Sequence, residues 1–172
     1  MSETLEERKR FNLSRAKTAR EIVASGGLVL HAAACEKDGF AYVFFGPSGA
    51  GKSTAMDHSP RTRKLSEEAV ALERNGSVWY ARGLPYAGDA RFDEKTDAAF
   101  PVKGFYRLHH AENNSAVRIS PATAAAALLT FPASDGASDP VPAVFDAAVR
   151  IAAEVACYEL YLRNDESFWE VL

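Results

Sequence analysis

The feature that most constrains this chain is the run FAYVFFGPSGAGKST, Phe40 to Thr54, which passes from aromatic and branched residues into a glycine-rich loop ending in a lysine and two hydroxyls. It holds the pattern Gly-x-x-x-x-Gly-Lys-Ser as Gly46, Gly51, Lys52 and Ser53, with a β-forming run before it and a helix-compatible run after it. Glycines there let the backbone turn tightly enough to aim successive N–H groups at phosphate oxygens, and a following helix start adds the positive end of its dipole. The loop therefore reads as a cradle for a nucleoside triphosphate, built from Gly46, Pro47, Ser48, Gly49, Ala50, Gly51, Lys52, Ser53 and Thr54. Lys52 would reach the β- and γ-phosphates and the Ser53 hydroxyl would coordinate Mg²⁺. Thr54 packs or caps. No guanine-reading motif follows, so ATP is the expected nucleotide. The bland alternative is a turn that binds nothing, or only a bare anion.

The rest of the chain reads as one domain-sized unit. Its 172 residues are 47% apolar and 25% charged, enough to bury a core. A formal net charge of -3 supplies no global field for nucleic acid or anionic lipid. The opening MSETLEERKR mixes acids and bases, and no run approaches membrane-spanning length, so a cytoplasmic protein is expected with no membrane or nucleic-acid partner. Cys35 and Cys157 lack metal spacing and read as buried thiols.

Residues 1–25 read as an amino-terminal helical segment and residues 26–172 as the loop-bearing domain. In the first, Arg8, Lys9, Arg10, Arg15, Lys17 and Arg20 form a cluster whose readings are a solvated helix face or a phosphate contact. Strands are expected over Leu28–Cys35 and Phe40–Phe45, joined by Lys37-Asp38-Gly39, then over KLSEEAVAL, GSVWYARGL, GFYRL and CYELYLR. The helix after the loop must be short, because Pro60 follows within a few residues. Ser120 and Pro121 suit an N-cap and first helical position, a further helix is expected from about Val144 to Ala156, and DESFWEVL closes the chain as a short helix. Pro132 to Pro142 reads as a loop, either a cover for an acceptor or a surface linker. Strands mixed with helices give an α/β class with a mixed sheet.

Phosphoryl transfer also needs an acid that supports metal and a group that positions the nucleophile. Glu67 and Glu68 follow the loop helix. Neighbours in an extended strand point to opposite faces, so both reach one site only at a strand end or bulge. One would then take magnesium and the other the proton of an incoming hydroxyl; otherwise the pair is a solvated strand edge. His31, in an apolar run, is ambiguous in the same way: spacing alone favours a hydrogen-bonded core histidine over the alternative, a catalytic one.

Taken together, LHAAACEKDGFAYVFFGPSGAGKST, LSEEAVAL, GLPYAGD, FPVKGFYRL, ISPATAAAALL and CYELYLRNDESFWEVL resemble the catalytic domain of HPr serine kinase/phosphorylase and its short relatives. The resemblance implies a P-loop domain with a mixed central sheet flanked by helices, related to phosphoenolpyruvate carboxykinase. It implies Glu67 as general base, Glu68 as the metal-holding acid, His31 near the phosphates, and Asp89 as a metal or substrate contact. Glu67 stands where that family has aspartate. The expected activity is ATP- and Mg²⁺-dependent transfer of the γ-phosphate to a hydroxyl, on a serine of a peptide or protein. The alternatives are a small-molecule alcohol kinase and an ATP-binding regulator without turnover. A homo-oligomer is allowed for.

Overall fold

The computed structural model describes residues 5–84, 98–133 and 141–172. The chain order is α1 (Leu5–Ala24), β1 (Leu28–Leu30), β2 (Ala32–Lys37), β3 (Phe40–Phe45), α2 (Lys52–Asp57), β4 (Arg63–Ser66), β5 (Val70–Asn75), β6 (Val78–Gly83), β7 (Phe100–His110), β8 (Ser115–Arg118), α3 (Pro121–Leu129), α4 (Val141–Glu154) and β9 (Cys157–Leu162), closed by a 3-10 turn over Glu166–Val171. The architecture is α/β, a mixed sheet flanked by helices.

The sheet runs β1-β5-β6-β7-β3-β2-β4, with β9 added beside β7 and β8 beside β9. Only β3 with β7 and β7 with β9 are parallel; the other pairs are antiparallel. The carboxyl ends of β3, β7 and β9 therefore share one edge. Antiparallel pairing brings the start of β2 to that edge, since Ala32 faces Phe45. It brings the end of β4 there too, since Ser66 faces Ala34. Three segments distant in sequence, ending at His31, Gly46 and Glu67, meet at one rim for that reason alone.

Two faces of the sheet are packed differently. On one, α3 and α4 bury Ala124, Ala127, Leu128, Ala147, Ala148 and Ile151 against Leu28, Leu30, Val43, Phe45 and Phe105. On the other, α2 and the closing turn bury Ala55, Met56 and Phe168 against Cys35, Phe44, Tyr106 and Leu108. Helix α1 sets Ala19 and Ile22 on Val29 and Ala71. Glu154 ties α4 to the sheet, accepting from Trp79 Nε1 at 2.7 Å and Arg74 Nε at 2.9 Å.

Several expected elements change shape. The single strand Leu28–Cys35 is two strands broken at His31, because β1 pairs with β5 while β2 pairs with β3 and β4. KLSEEAVAL likewise splits into β4 and β5. Strand β7 reaches well beyond GFYRL, and β8 had no counterpart in the sequence reading. Helix α4 begins at Val141, so Pro142 is helical rather than the end of a loop. Residues 134–140 of that loop, the GLPYAGD turn beyond Leu84, and Asp89 lie outside the described residues. The Asp38–Gly39 turn has both residues at positive φ, 54° and 83°, the left-handed geometry that tight hairpins demand. Ser120 caps α3, accepting from Thr123 N at 3.2 Å.

Candidate functional site

Phe45 is the last residue of β3, and the chain then doubles back over the aromatic face, where Ala50 is buried among the core residues. Gly51, at φ 104°, takes the left-handed conformation that opens α2. Ala50 N donates to Pro47 O at 3.1 Å and Ala55 N to Gly51 O at 2.8 Å, so the loop closes on itself and feeds the helix without a gap. Lys52 Nζ donates to Gly46 O at 2.9 Å and Pro47 O at 3.3 Å. Burial pushes the Lys52 ammonium below the usual lysine range, and the Glu68 carboxylate pulls against that shift.

The two glutamates sit where β4 has ended and β5 has not begun. The buried Ser66 hydroxyl makes that break, accepting from Glu68 N at 3.2 Å and Ala69 N at 3.1 Å, which turns the chain. At such a turn neighbouring side chains no longer diverge to opposite faces. Both are half-buried and border one cavity of about 390 Å³, with His31, Ser48, Gly49, Gly51, Lys52, Ser53 and Thr54. His31 is half-buried at this rim, its backbone N–H donating to Phe131 O at 2.8 Å. The core reading of His31 is thereby corrected: the strand break turns it toward the loop.

Of the loop residues singled out from sequence, Gly46, Pro47 and Ala50 do not border the cavity. The first two offer their carbonyls to Lys52, and Ala50 is core. Thr54 does border it. Of the metal-binding candidates, Ser53 and Glu68 are brought together and Asp89 is outside the described residues. Among the described residues no group of three or more His, Cys, Asp or Glu side chains is arranged to hold a metal. The oxygen-bearing side chains that border the cavity are hydroxyls and carboxylates, the hard ligand types that suit magnesium, an ion held by one or two carboxylates plus substrate phosphates. Two carboxylates also outnumber the one lysine in the cavity, so a polyphosphate there calls for a cation. The residues fit the ion.

One contact escaped the sequence reading. His110, the last residue of β7, sets Nε2 2.7 Å from Gly49 O. Beside it, on the opposite face of the strand, His109 bonds Glu159 and stacks on Tyr161 with ring centroids 4.9 Å apart, while Glu159 also accepts from Arg107 at 3.4 Å. The doublet His109-His110 at the end of GFYRL was the available signal.

A family model described as SynChlorMet cassette protein ScmC matches residues 10–172. No curated protein matches the chain. That match overturns the resemblance to HPr serine kinase/phosphorylase, whose pieces are short and include a glycine loop shared by many unrelated nucleotide-binding chains. The roles it implied for Glu67, Glu68 and His31 therefore stand or fall on the cavity alone, and nothing supports one for Asp89.

Proposed function

This chain belongs to the ScmC family, and we propose that it transfers the γ-phosphoryl group of ATP to a hydroxyl, on a serine of a peptide or protein. One observation carries the reading: a single cavity gathers the lysine-bearing glycine loop, His31 and the Glu67–Glu68 pair from three separate strand ends. In this reading the loop is a P-loop, its amides facing the triphosphate. Lys52 exchanges its two loop carbonyls for β- and γ-phosphate oxygens. Magnesium, when bound, neutralises phosphate charge. In this reading Glu68, whose carboxylate acts on Lys52, holds the metal with Ser53, and Glu67, beside it on the same cavity, serves the acceptor. The acceptor oxygen forms its bond to phosphorus as the bond to the ADP oxygen breaks, and the hydroxyl proton passes to Glu67. His31 orients the transferred group.

The test is ADP formation and phosphate transfer from ATP in the presence of magnesium, screened over peptides, proteins and small alcohols. Lys52→Ala should remove the rise in thermal stability that saturating nucleotide gives, about 2.7 kcal/mol at a hundredfold excess over Kd. Glu67→Gln should keep that rise and lower transfer by about 10² to 10⁴. Nucleotide stabilisation without ADP under any acceptor would assign a regulator instead. A small alcohol as sole acceptor would move the substrate class but keep the chemistry.

A further inference from the structure

We infer that His110 is a positioning residue that holds the Gly49 carbonyl away from the ligand side of the loop; this rests on the nucleotide reading of that loop. The loop leans on the end of β7 at three points. A Cβ on Gly46 would stand 3.6 Å from the Leu108 carbonyl, a Cβ on Gly51 would stand 3.3 Å from His110 Cε1, and His110 Nε2 lies 2.7 Å from Gly49 O. A carbonyl only accepts, so Nε2 carries the proton in this bond.

The consequence lies in which way the peptide planes face. An anion site needs N–H groups turned toward it and carbonyls turned away, because a carbonyl oxygen facing a phosphate repels it. Three loop carbonyls already have donors: Gly46 and Pro47 through Lys52, and Gly49 through His110. The peptide between Gly49 and Ala50 is pinned at both ends, since Ala50 N–H donates to Pro47 O. Lys52 must leave its carbonyls to meet a phosphate. His110 need not, so it is the tether that persists when the loop is loaded. The strand end that carries it is itself fixed, through His109 on Glu159 and Tyr161.

The experiment uses the full chain with three substitutions. His110→Phe keeps a ring beside Gly51 and loses the donor, His110→Gln keeps a donor, and His110→Ala loses both. Hydrogen exchange over residues 46–51 is read without nucleotide, and affinity for a fluorescent ATP analogue is read with magnesium. His110→Phe and His110→Ala should speed exchange in the loop and weaken the analogue about five- to tenfold, the scale of one hydrogen bond, with His110→Gln restoring most of both. Wild-type exchange and affinity in His110→Phe would overturn the inference. If Lys52→Ala still abolishes binding in that case, the nucleotide reading survives the loss. If Lys52→Ala binds as the wild type does, the nucleotide reading fails, and the ligand-facing role of His110 fails with it even where exchange shows a tether.

Discussion

The helix-covered face of the sheet and its aromatic face are filled with different materials. On the first, alanines let α3 and α4 lie close: Ala124, Ala125, Ala127, Ala147, Ala148 and Ala152 are all buried. On the second, Tyr42, Tyr106 and Tyr158 stack in series, centroids 5.9 and 5.4 Å apart, and Phe44 meets Phe168 and Trp169 edge-on at 6.0 and 6.1 Å. The aromatic face also carries α2 and the glycine loop. A six-residue helix has no stability of its own, so its geometry must come from what it rests on. Rigid rings provide that support, whereas the alanine face serves compactness and lies apart from the loop helix.

The largest expected effect breaks the aromatic side. Phe44→Ala should cost about 3–5 kcal/mol in urea denaturation, the usual scale for a buried phenylalanine. It should also speed hydrogen exchange in Lys52–Asp57. Unchanged protection in that helix would show that the rings do not hold it. The counterpart on the alanine side is Ala148→Leu, where overpacking a fully buried site should cost about 1–3 kcal/mol. Exchange in α2 should stay as in the wild type; coupled loosening of the loop would erase the distinction between the faces.

A comparison confined to alkaline pH takes one thiol from each face. Burial pushes Cys35 on the aromatic face and Cys157 on the alanine face up from 9.0 to about 12. Both stay neutral below pH 9 in either state, so nothing is lost there. Between pH 9 and about 12 the unfolded chain releases protons that the folded chain keeps, and stability falls by at most about 1.4 kcal/mol per pH unit for each thiol. Burial raises Tyr106 as well, in the same direction. Cys35→Ala and Cys157→Ala should each flatten the alkaline decline in the denaturation midpoint by a similar amount. A decline left unchanged by both would assign it to the tyrosines.

What the sequence disclosed depended on how local the determinant was. The loop, the Asp38–Gly39 turn and the Ser120–Pro121 cap are fixed by a few adjacent residues, and each was legible. The break at His31 was not. Apart from His31 itself, LVLHAAACEK is apolar through its first eight positions, and the strand divides only because β1 and β2 take different partners across the sheet. The gathering of Glu67 and Glu68 was legible as a condition, that the pair lie at a strand end. The agent that meets it, the Ser66 hydroxyl, looks in sequence like any strand serine. Strand β8 escaped because most of its side chains are exposed, leaving no alternation to read. The reach of His110 across to Gly49 depends on the parallel register of β3 and β7, which no residue near either one encodes.

Lys52, held by the carbonyls of Gly46 and Pro47, makes the loop its own placeholder. An arriving anion meets no bare ammonium and has to outcompete two peptide dipoles for it. A singly charged ion that engages the lysine alone gains little by the exchange. Under the proposed nucleotide reading, a chain of phosphates that recruits amides along the turn at the same time would gain at every step, and the resting lysine would act as a filter on charge density and length.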